Sequence, residues 1–76
     1  MTIDEMIEEA YLDSASTYTI DFNGSNLYRV ATLAAQDLSA KHPEIDSENI
    51  DFVAGAVYQK YKSFAKEYMR HLNEGK

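Results

Sequence analysis

Between Ile50 and Leu72 apolar residues return every three or four positions: Ile50, Val53, Ala54, Val57, Tyr61, Phe64, Ala65, Tyr68 and Leu72. At about 100° per residue they fall within an arc of about 120°, the width of a core-facing helical stripe. The pattern predicts a helix over residues 47–73, which would be about 40 Å long. Asp46 can cap its start, and Ile45 can pack on Ile50 as a hydrophobic staple. Gly55 is its weak point, costing about 1 kcal/mol relative to Ala inside a helix. A bend there would leave a short helix followed by a long one. In a chain of 76 residues, everything else must fold against this element.

Two shorter helices supply the partners. Thr2 and Glu5 form a capping box, with Met1 and Met6 at staple positions. Ile3, Met6, Ile7, Ala10 and Tyr11 then repeat along one face, which predicts a helix over residues 3–14. Leu27, Val30, Ala31, Ala34 and Leu38 mark a second helix over 26–41, with Ser25 as its N-cap and Pro43 ending it. Between them Tyr18, Ile20 and Phe22 alternate with polar residues before the turn signal Asn23-Gly24. A loop or one short strand at 17–22 follows. The expectation is an all-α, three-helix bundle forming a single small domain over residues 1–76.

So short a chain has little interior, and it has no Cys to supply a disulfide or a thiolate metal site. Stability must come from helix packing or self-association. The second helix, at 16 residues about 24 Å long, is outreached by the third. The overhang carries Phe64, Tyr68 and Leu72, and surplus apolar surface of this kind marks interaction sites. Phe52 and Met69 fall on the opposite face.

Charge is unevenly divided. Residues 1–51 carry −9 and residues 52–76 carry +3, giving the net −6. The acidic total repels phosphate backbones at long range, so nucleic-acid binding is disfavoured. Locally, however, "YQKYKSFAKEYMRH" interleaves four rings with four cations, Lys60, Lys62, Lys66 and Arg70. Tyr61, Phe64 and Tyr68 lie on the apolar stripe and read as core residues, whereas single-strand binding needs several exposed rings beside the charges. The interleaving reads mainly as packing. The acidic N-terminus lacks the cations of a secretory leader, and no apolar run is long enough to span a bilayer. The chain reads as soluble and cytoplasmic.

No constellation for catalysis emerges. Ser14, Ser16, Ser25 and Ser39 have no evident base partner, and His42 and His71 sit in different elements. Glu67, His71 and Glu74 share a helix face but are better explained as surface charges. "PEIDSENID" lacks the ligand order and central Gly of a calcium loop, and "NGSN" lacks the Lys of a phosphate loop. The sequence therefore points away from an enzyme, a cofactor, a metal or a small-molecule substrate.

The leading expectation is a small protein-interaction or regulatory protein, acting on a protein partner or as a homodimer. The acidic face Asp4, Glu5, Glu8, Glu9 and Asp13 would dock into a basic groove on the partner, with Phe64, Tyr68 and Leu72 as the apolar contribution. A groove of that charge could be one that normally holds nucleic acid, making this chain a competitor. The composition is compatible with short acidic proteins of phages and mobile elements. The alternative is a dimeric nucleic-acid-binding regulator using Lys60, Lys62, Lys66 and Arg70.

Overall fold

The computed structural model describes residues 1–20 and 26–74, with the side chains at 68, 69 and 71–74 outside the description. Three helices follow in order: α1 (Ile3–Thr17), α2 (Leu27–Lys41) and α3 (Ser47–Glu74). The chain is the expected all-α bundle.

The start of α1 shows what the sequence puts there. Thr2 Oγ1 accepts from the Glu5 amide at 3.2 Å, and Glu5 Oε1 accepts from the Thr2 amide at 3.1 Å, closing the capping box. Hydrogen bonding by Thr2 to the Glu5 carboxyl, from its backbone first and its side chain second, holds that carboxyl below its ordinary pKa. The Asp46 carbonyl takes the first helical bond of α3, from Ile50 at 3.1 Å. α2 differs: its N-cap position falls on Asn26, which makes no side-chain cap and donates instead to the Thr19 carbonyl at 3.1 Å. Ser25, the expected cap, lies outside the described residues, as do Asp21, Phe22 and the Asn23-Gly24 turn.

α1 runs three residues past its expected end, to Thr17, and Tyr18–Ile20 form no strand. The cause is tertiary. Ser14 is buried, 1 % exposed, where its hydroxyl meets the Tyr61 hydroxyl. One turn on, the Tyr18 amide closes onto the Ser14 carbonyl at 2.9 Å, and the Tyr18 hydroxyl donates to Asp37 at 2.7 Å. Those anchors outweigh the modest helix propensity of Ser-Ala-Ser-Thr. α3 continues as helix through Gly55.

The 42–46 connection turns α2 back onto α3. Its turn is fixed by the bonds from the His42 amide to the Leu38 carbonyl and from the Ile45 amide to the His42 carbonyl. Tyr28, near the start of α2, then meets Tyr58 edge-on at 5.7 Å, as an antiparallel hairpin requires. Small residues on α2, Ala31, Ala34 and Ala35, let the helices approach closely around Val53, Val57 and Tyr61. Met6 and Ala10 of α1 close the core. α3, 28 residues and about 42 Å long, sets the 48 Å length of a molecule only 20 and 18 Å across. α2, at 15 residues, is about 22 Å long, so α3 runs past it. No helix among the described residues is long and apolar enough to cross a membrane.

Candidate interaction site

The overhang of α3 does not stand bare. α1 lies beside part of it, and the two helices leave an open groove between them. Ile7 and Tyr11 of α1 and Ala56 and Phe64 of α3 supply its apolar lining. Asp4 and Glu8 edge it on the α1 side, with Lys60 and Glu67 on the α3 side. Phe64, expected in the core, is 48 % exposed and lines this groove instead. It sits toward one edge of the apolar stripe, on the side of the groove, while Ala65 beside it is buried in the core. Tyr68 and Leu72 have side chains outside the described set.

The five acids expected to act together are divided by their partners. Glu5 is committed to the capping box. Glu9 Oε2 lies 2.8 Å from His42 Nε2, and Glu44 approaches the other ring nitrogen at 3.6 Å. Asp13 pairs with Lys41, whose pKa is raised by that hydrogen bond. These contacts fasten α1 to the C-terminal end of α2. Only Asp4 and Glu8 make no hydrogen bond or ion pair among the described residues, and both are exposed at the groove.

The four cations are likewise separated. The Lys60 ammonium lies over the Tyr11 ring, 5.2 Å from its centroid, on the α1 side. Lys62 lies 5.9 Å from the Tyr58 centroid, on the α2 side. Lys66 is exposed, and Arg70 stands 3.9 Å from Glu67. Of the rings interleaved with them, Tyr61 is fully buried.

Ser14, for which the sequence offers no base partner, has two hydrogen-bonding neighbours, a phenol and a backbone carbonyl. Its hydroxyl and that of Tyr61 contact each other, and both lie within hydrogen-bond distance of the Tyr11 carbonyl, at 3.0 and 3.2 Å. Two hydroxyl protons serve three contacts, so one hydroxyl donates to the other and that one donates to the carbonyl. Burial, opposed by the Ser14 bond, raises the Tyr61 pKa. With both side chains at most 1 % exposed, this node holds α1 to α3 and offers nothing to a substrate. The signal was present: Ser14 continues the spacing Met6, Ala10 on the apolar face of α1.

No group of three or more His, Cys, Asp or Glu side chains among the described residues is placed to hold a metal. The Glu67, His71, Glu74 alternative involves side chains outside the described set. Comparison with known protein families, curated proteins and solved structures finds no match.

Proposed function

We propose that the protein works by binding another protein, without chemistry of its own, and that the groove between α1 and α3 is where it does so. The partner would present a basic segment bearing apolar side chains. One observation carries this reading. Asp4 and Glu8, unpaired among the described residues, edge a groove lined by Ile7, Tyr11 and the exposed Phe64. Apolar contact gives such a site its affinity, and the acidic edge gives it orientation and association rate. A partner surface of that chemistry also suits nucleic acid, so the protein would compete with nucleic acid for it.

The test is calorimetric titration with a synthetic amphipathic helical peptide of Lys and Leu. Binding that weakens with added salt and falls at least tenfold in the Asp4→Lys, Glu8→Lys double variant supports the proposal. Equal binding by the double variant, or none by the wild type, contradicts it.

A second reading, the nucleic-acid-binding regulator, draws on Tyr28. Its ring is 68 % exposed beside Tyr58 and Lys62, so a ring and a cation meet at the surface there. Against it stands the net charge of −6. Failure to retard single-stranded or duplex probes at low salt removes it.

A further inference from the structure

The outward face of α3 contains a residue that the fold itself does not require. Gly55 lies inside a 28-residue helix, where Gly costs about 1 kcal/mol relative to Ala. Its φ is not positive, so the backbone does not demand it. A Cβ built there would meet nothing within 4 Å, so internal packing does not demand it either. One turn earlier Phe52 is 60 % exposed, and the two residues share a shallow depression with Asp51, Ala56 and Gln59. A bare backbone beside a projecting ring is the arrangement that lets a second helix approach closely.

The charges around it say which helix. Glu48, Phe52, Gly55, Gln59, Lys62 and Lys66 are all exposed, and at 100° per residue they share an arc of about 80°. Along this stripe the acid Glu48, with Asp51 just off its edge, stands on one side of Gly55, and the cations Lys62 and Lys66 on the other. Turned end for end about residue 57, the stripe complements itself. Glu48 of one copy then faces Lys66 of the other, Phe52 faces Lys62, and Gly55 faces Gln59. A parallel copy would set like charge on like. Self-complementarity under a two-fold rotation is the condition for an isologous, closed dimer.

We propose that the outward face of α3 is the interface of an antiparallel homodimer, the second copy seated on Phe52 and Gly55. From Glu48 to Lys66 the stripe is about 27 Å long. One helix pair of that length buries less than a standard stable interface, so the dimer is weak and reversible. The stripe shares Gln59 with the α1/α3 groove, but Glu48, Gly55 and Lys66 are outside its lining, so variants at these three test this proposal apart from that one.

Sedimentation equilibrium on the full chain, from low micromolar to near-millimolar concentration, tests it. The wild type should pass from monomer to dimer. Glu48→Lys and Lys66→Glu should each weaken association about tenfold, because each reversal acts twice across the two-fold axis. The double reversal should restore it, which no loss of folding could mimic. Gly55→Leu should abolish association while circular dichroism shows an intact, fully helical protein. A wild type that stays monomeric at every concentration overturns the proposal. So does a dimer that neither single reversal nor Gly55→Leu disturbs.

Discussion

The two faces of α3 lie on one helix and each carries a large ring, Tyr61 on one and Phe52 on the other, yet only one of these is explained by the fold. On the inner face Val53, Val57 and Tyr61 are each 0 % exposed, set against the alanines of α2 and the Ser14 hydroxyl of α1. On the outer face Phe52 stands in solvent beside a glycine with nothing near it. The packing that stabilises the bundle through α3 is on the inner face. What the outer face and the groove flank contribute is surface, and the lesson is that apolar character on a helix need not be spent on the core.

Substitutions on the two faces should therefore differ in size and sign. Tyr61→Ala is the largest expected effect. It removes a fully buried ring and strips Ser14 of a partner, at a cost of about 4 kcal/mol. A domain of this size has only about 5 kcal/mol in total, so the variant should keep about 1 kcal/mol and melt far below the wild type by circular dichroism. A folded, wild-type-like melt would show that the inner face is not the core.

Tyr61→Phe keeps the ring and removes the hydroxyl, and urea unfolding should show a loss of about 1 kcal/mol. The variant also sharpens the pH dependence. Burial raises the Tyr61 pKa, so the folded state favours the neutral phenol. That contribution is complete below the ordinary tyrosine value of about 10, and is lost as pH rises through the higher folded value. Wild-type stability should fall more steeply above about pH 10 than that of the Tyr61→Phe variant. Parallel curves would mean that the hydroxyl is not buried.

On the outer face Gly55→Ala should stabilise the dilute monomer by about 1 kcal/mol, since the added methyl meets no neighbour. Destabilisation would mean that something packs on Gly55 in the monomer. Phe52→Ala, the smallest effect, should change the stability of the dilute monomer by less than about 0.5 kcal/mol in thermal melts.

Much of this contrast is legible in the sequence. The 3.6-residue repeat from Ile50 onward places Val53, Val57 and Tyr61 inside, and the Thr2/Glu5 pair starts α1 where the structure does. What periodicity does not encode is which neighbour is present at each level of a helix. Phe64 is on the stripe but lines the groove between α1 and α3, while its neighbour Ala65 is buried in the core. Nor does periodicity pair charges across elements. Glu9 with His42, Asp13 with Lys41 and Lys60 over Tyr11 are contacts between residues distant in sequence. Those pairings divide an acidic face that looks uniform along α1 and leave Asp4 and Glu8 at the groove. α1 runs to Thr17, three residues past the end its periodicity marks, for the same reason, since the anchor at Ser14 is Tyr61, on another helix.

The most direct test of the binding account is an amide-resolved NMR titration of the wild type with the Lys/Leu amphipathic peptide. The account predicts saturable shifts at Ile7, Glu8, Tyr11, Lys60 and Ser63, which line the groove, with Glu48 and Phe52 on the outer face unmoved. Shifts absent from those positions, or centred on α2, would contradict it.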